Sequence, residues 1–137
     1  MKNKIALVLL SLIMVMSYII PVGADNSEYD VYRWDNVSNI VGSISFDGST
    51  GNYSMTIRGA SGVDRITATA KLYYKNVSNK WIEVSTDWSY DVESKRLYID
   101  EDFTAVKGRT YKVELDAVVY KDGYGESVSK TTTKTYE

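Results

Sequence analysis

The chain contains no cysteine and no histidine. Without histidine, Ser–His–Asp and Cys–His catalysis lack their general base. Without either residue, zinc, copper and iron lose the imidazole and thiolate ligands that ordinarily hold them. No disulfide can staple the fold. The nine glycines are scattered over turn sequences and form no phosphate-cradling loop, so nucleotide hydrolysis is not expected. A basic stripe is missing too. Sixteen Lys and Arg are interspersed with eighteen acidic residues, which excludes the electrostatic footprint of a nucleic-acid binder. Segments of helical period are absent, and alternation of period two runs almost throughout. No cofactor is expected.

What is present begins with an export segment. Met1-Lys2-Asn3-Lys4 carries two positive charges, residues 5–22 are almost wholly apolar, and Val22-Gly23-Ala24 supplies the small residues a signal peptidase accepts. We read residues 1–24 as a signal peptide cleaved after about Ala24, so that the protein acts outside the cytoplasm and meets the membrane only transiently. An uncleaved anchor is the rival reading, since the apolar run approaches the ~20 residues a spanning helix needs. Pro21 and Gly23 favour cleavage because both break a helix just before the cut. Loss of Lys2 and Lys4 would move the net charge from −2 to −4. The remaining chain is one domain, large enough for a core of its own. Export without thiols fits a Gram-positive surface or medium.

The expected organisation is an N-terminal arm over residues 25–36, then an all-β domain over 37–137. The arm carries Tyr29, Tyr32 and Trp34, which implies that part of it packs on the domain. Seven strands are expected near 40–46, 52–58, 65–75, 80–90, 96–100, 111–120 and 126–136. On the third, Ile66, Ala68, Ala70, Leu72 and Tyr74 alternate with polar residues. On the sixth, Tyr111, Val113, Leu115, Ala117 and Val119 do the same. The fourth is irregular: Trp81, Ile82, Val84, Trp88 and Tyr90 do not share one parity, which suggests a bulge or an edge position. Asp122-Gly123 marks a hairpin turn, because Asp-Gly supplies the positive φ that tight turns require. Seven short strands at this spacing predict an antiparallel immunoglobulin-like β-sandwich.

Tyr111 follows the connection 104–110 and opens the strongest strand. That is where such sandwiches keep a tyrosine corner, with the hydroxyl bonded back to the preceding loop; the alternative is a plain core aromatic. The order Leu72, Tyr74-Lys75, Trp81, Val84, Val106, Gly108, Tyr111, Val113, Val119-Tyr120, Gly123, Glu126-Ser127 resembles small secreted β-sandwich proteins of Gram-positive bacteria. More loosely, it resembles fibronectin type III and immunoglobulin-like modules. The matched motifs are packing motifs, so the resemblance implies a fold and carries over no functional residue.

Two resources remain for function. Carboxylates are densest at Asp100-Glu101-Asp102, with Asp87, Asp91 and Glu93 near in sequence. They could bind calcium, although the alternating Asp-x-Asp-x-Asp-Gly loop is missing. Glycoside hydrolysis would need two carboxylates opposed across a cleft, which a small sandwich rarely builds. More often such a trio is a solvated loop leaving a strand. Aromatics are the second resource: three Trp and twelve Tyr stand against two Phe. Tyr73 and Tyr120 fall on the polar sides of their strands, Tyr98 and Tyr124 lie near turns, and Trp88 belongs to the irregular strand. Tyr73, Trp88, Tyr120 and Tyr124 are the candidate contact surface, set against the plainer role of cross-strand pairs that stabilise a sheet face. Asn36, Asn52 and Asn76 open formal Asn-x-Ser acceptors, discounted in a bacterial export context. The expected function is a secreted, non-enzymatic binding or adhesion module whose partner is a protein or a surface glycan. The alternative is a structural or effector protein working through protein–protein contacts, with a carbohydrate-active domain as a remote third.

Overall fold

The computed structural model describes residues 34–137. The export segment 1–24 and the arm as far as residue 33 lie outside the described residues. Seven antiparallel strands follow one another, with no helix among the described residues: β1 (Val37–Asp47), β2 (Thr50–Gly59), β3 (Val63–Lys75), β4 (Trp81–Val92), β5 (Arg96–Thr104), β6 (Thr110–Lys121) and β7 (Tyr124–Thr135). They form a three-stranded sheet in the order β1-β2-β5 and a four-stranded sheet in the order β4-β3-β6-β7. The β-sandwich expected from the strand count is the one observed. Its fourth strand lies beside the third, whereas constant-type immunoglobulin domains place it on the sheet of the first, second and fifth.

The sequence alternation turns directly into two layers. Tyr53, Met55 and Ile57 of β2 and Leu97 and Ile99 of β5 face Ile66, Ala68, Ala70 and Leu72 of β3 and Tyr111, Val113, Leu115 and Val119 of β6, all buried. A chain of rings crosses this core. Tyr53 stacks on Trp88 with centroids 6.1 Å apart, Trp88 meets Phe103 at 6.4 Å, and Phe103 meets Tyr111 at 5.2 Å. Phe46 continues the chain from Tyr111 to Tyr136. Tyr53, Trp88 and Tyr111 are buried and Phe46, Phe103 and Tyr136 half-buried against them, apolar area that a thiol-free domain cannot replace with staples. The tyrosine corner is present as well: the Val106 amide donates to the Tyr111 hydroxyl at 2.7 Å. Tyr111 is therefore both corner and core.

Three local expectations change. Trp88 is only 9% exposed and stacks inside the sandwich, so it leaves the candidate contact surface. The cause is the β4 register. Ala70 pairs with Trp88 and Leu72 with Val84, so Lys71 alone of β3 opposes three residues of β4, an insertion of two. An even insertion preserves parity: Ile82, Val84, Trp88 and Tyr90 share the inward side, and Trp81 alone turns outward. Second, β5 runs on to Thr104 rather than ending near Asp100, which puts the acidic trio inside a strand. Third, Tyr98, expected near a turn, is the third residue of β5 and stands 63% exposed on the outer face of its sheet.

At the hairpin between β6 and β7, Asp122 (φ 52°) and Gly123 (φ 79°) both adopt the left-handed region, the pattern of a type I′ turn. At the other end of the described chain, the Asp35 and Asn36 amides donate to the Glu126 carboxylate at 2.9 and 2.7 Å. The Asn36 side chain donates to the Val119 carbonyl, so the last residues of the arm are clamped to the four-stranded sheet.

Candidate functional site

The outward side chains of the four-stranded sheet sort into rows that cross all four strands. Ser89, Thr69, Asp116 and Ser129 form one row, and Asp91, Thr67, Val118 and Ser127 the next. These are short side chains. The flanking rows are long: Arg65 and Tyr120 on one side, Lys71 and Glu114 on the other. Short residues between tall ones make a shallow channel of about 650 Å³ whose floor is these two rows. Successive outward residues lie ~6.8 Å apart along a strand, and neighbouring strands ~4.8 Å apart. The channel therefore crosses the strands over the full width of the sheet and opens at both edges.

Its walls are pinned. Arg65 grips Asp91 through two bonds, Nε to Oδ1 at 2.8 Å and Nη2 to Oδ2 at 2.6 Å, and its guanidinium lies 5.4 Å from the Tyr120 ring centroid. The hydrogen bonds and the charge of Arg65 hold the Asp91 carboxyl below its usual range. Tyr120 leans over Gly125, where a Cβ would come within 2.7 Å of Val118 and 3.0 Å of the Tyr120 ring; only glycine leaves room for that wall. At the far wall Lys71 pairs with Glu83 at 3.8 Å. Beyond it, Lys112 is held by Glu114 and stands between two rings, 4.6 Å from the centroid of Tyr73 and 4.7 Å from that of Trp81. Partial burial and the carboxylates of Glu114 and Glu83 raise the Tyr73 hydroxyl pKa. Asp116, by contrast, makes no ion pair and accepts no hydrogen bond among the described residues.

Of the four candidate contact residues, Tyr73 and Tyr120 thus mark opposite ends of one face, each with a cation over its ring. Tyr124 is 81% exposed on the hairpin beside the channel, and Trp88 lies in the core. Trp81 belongs to this face although its strand pattern did not announce it. The floor residues were also missed: outward parity and small size were visible for each, but their convergence depends on register.

The acidic trio does not converge. Strand alternation sends Glu101 inward, where its Oε1 accepts from the Tyr90 hydroxyl at 2.7 Å. Asp100 and Asp102 point outward on the other sheet and share the Asn52 amide, at 2.6 and 2.9 Å. Three carboxylates split over two faces cannot enclose one calcium ion, and no group of three acidic side chains suited to a metal occurs among the described residues.

No family model matches the chain, and no curated protein is similar to it. Among solved structures, a β-glucuronidase of Parabacteroides merdae is similar over 72% of this chain and 13% of that one, at 13% identity and a TM-score of 0.39. The present chain spans about an eighth of that enzyme's length, and a likeness at that level carries no argument about activity or ligand.

Proposed function

We propose that this chain is an exported, non-enzymatic binding module whose channel takes an extended glycan. The observation that carries this reading is the floor. Five hydroxyl side chains (Thr67, Thr69, Ser89, Ser127 and Ser129) and the carboxylate of Asp116 line it, flanked by the Arg65–Tyr120 row on one side and the Lys71–Glu114 row on the other. Each Ser or Thr hydroxyl both donates and accepts, and a carboxylate accepts only. A sugar presents hydroxyls that need both kinds of partner, along a chain that can lie in an open-ended channel. A peptide would need apolar pockets for its anchoring side chains, and Val118 is the one apolar residue of the two floor rows.

The same geometry supports binding rather than catalysis. Asp91 and Asp116 are the acids of the floor, two strands and one row apart, or about 12 Å between their Cα atoms. In the carboxylate pairs that hydrolyse glycosides, the general acid holds a raised pKa. Asp91 is locked to Arg65 with its pKa lowered, which is the wrong direction for a general acid.

The test is retention of the protein on insoluble glycans, peptidoglycan and chitin among them, before and after blocking the channel. Thr69→Tyr places a large β-compatible side chain outward from a central strand. Retention that vanishes in Thr69→Tyr and weakens in Asp116→Ala supports the reading. Retention unchanged in a folded Thr69→Tyr variant would sink it.

A further inference from the structure

We propose that two copies of this chain pair back to back through the outer face of the β1-β2-β5 sheet. Charge placement differs between the two sheets. On the four-stranded sheet most outward charges are paired within the chain, as Arg65–Asp91, Lys71–Glu83 and Lys112–Glu114, with Asp116 among the exceptions. On the three-stranded sheet Arg58, Arg96, Asp100 and Asp102 all point outward, and none makes an ion pair among the described residues. They are also sorted by sign. Rows read along the strands as Asn39–Arg58–Arg96, then Val41–Thr56–Tyr98, then Ser43–Ser54–Asp100, then Ser45–Asn52–Asp102. One end is basic and the other acidic. Between them lies the row of exposed apolar side chains, with Val41 at 55% and Tyr98 at 63%.

A face graded in this way is complementary to itself when one copy is turned end over end. A two-fold axis along the Val41–Thr56–Tyr98 row sets that row on its own image and the basic row on the acidic one, so each Arg96 meets Asp100 of the other copy. The Arg96 guanidinium already lies 6.0 Å from the Tyr98 ring centroid, beside the axis. An axis parallel to the strands would instead stack Arg58 on Arg58. Like charges in contact oppose that arrangement, so charge selects the antiparallel one. The short side chains of Ser43, Ser45, Asn52 and Ser54 allow the sheets to approach to ~10 Å. With the axis on the second row, three strands and three rows overlap, roughly 300 Å² on each copy, which is below the size of standard specific complexes, so the pair is weak and reversible.

Sedimentation velocity over a rising protein concentration is the test. The weight-average mass should climb from one chain toward two. Arg96→Asp and Asp100→Arg should each weaken association at least about tenfold, because the symmetry enters every substitution twice. The double variant Arg96→Asp/Asp100→Arg restores the complementarity and should recover association to within a few-fold of the unmodified chain. A single-chain mass at every concentration, or a double variant that pairs no better than the single ones, overturns the proposal.

Discussion

Tyr53 and Tyr111 bring the same hydroxyl into opposite circumstances. The Tyr111 oxygen accepts from the Val106 amide, whereas the buried Tyr53 oxygen has no hydrogen-bond partner among the described residues. Removing the first orphans a backbone donor; removing the second deletes a group whose burial is uncompensated. Tyr111→Phe should cost about 1–2 kcal/mol and lower the thermal midpoint by several degrees. Tyr53→Phe should leave the midpoint unchanged or raise it. Equal losses in the two variants would contradict this account. The same burial acts on titration. Desolvation raises the Tyr53 pKa far above the usual ~10, and desolvation with the bond to Glu101 does the same to Tyr90. The unfolded chain loses these protons near pH 10 while the folded chain keeps them. Fewer protons on the unfolded state mean that stability falls as pH rises past that point. An absorbance titration should show two tyrosines that stay protonated until the domain unfolds, with stability intact below about pH 10.

At the scale of elements, the β6–β7 hairpin concentrates its specification in two residues. Gly123 holds φ at 79° in a turn whose hand matches the strand twist. Gly123→Ala should therefore cost about 1–2 kcal/mol, the price of a left-handed L-residue, read from the denaturation midpoint. An unchanged midpoint would show that the turn relaxes to another type. This hairpin was legible in the sequence because Asp122-Gly123 is a local signal. β3 and β6 were legible because their inward residues keep one parity from end to end. β4 was not: its inserted pair of residues faces β3 across a bulge, and Trp81 interrupts the visible pattern from the outside, so Trp88 looked free to face solvent. The channel was illegible for a related reason. Ser129 lies sixty positions from Thr69, and only the registers of β3 with β6 and of β6 with β7 bring the two into one row. The sorting of Arg96 and Asp100 beside β2 is hidden in the same way, since each charge alone is an ordinary outward residue.

Over the whole molecule, the channel and the charge-graded face occupy opposite outer surfaces of one sandwich. A back-to-back pair therefore directs its two channels away from each other, toward separate glycan chains or distant stretches of one polymer. If both proposals hold, a soluble oligosaccharide would occupy one channel and gain nothing from pairing. An insoluble polymer offers many sites, so the second attachment is intramolecular and retention can exceed single-site affinity by up to ~10²–10⁴-fold. The two readings then separate cleanly. Arg96→Asp lies on the far sheet and leaves the channel intact, so it should keep the oligosaccharide dissociation constant while lowering retention on the polymer at least about tenfold. Thr69→Tyr should abolish both while leaving the concentration-dependent pairing untouched. If Arg96→Asp reduced oligosaccharide binding and polymer retention in parallel, the two surfaces would be coupled through the core, and the independence of the two sheets would be wrong.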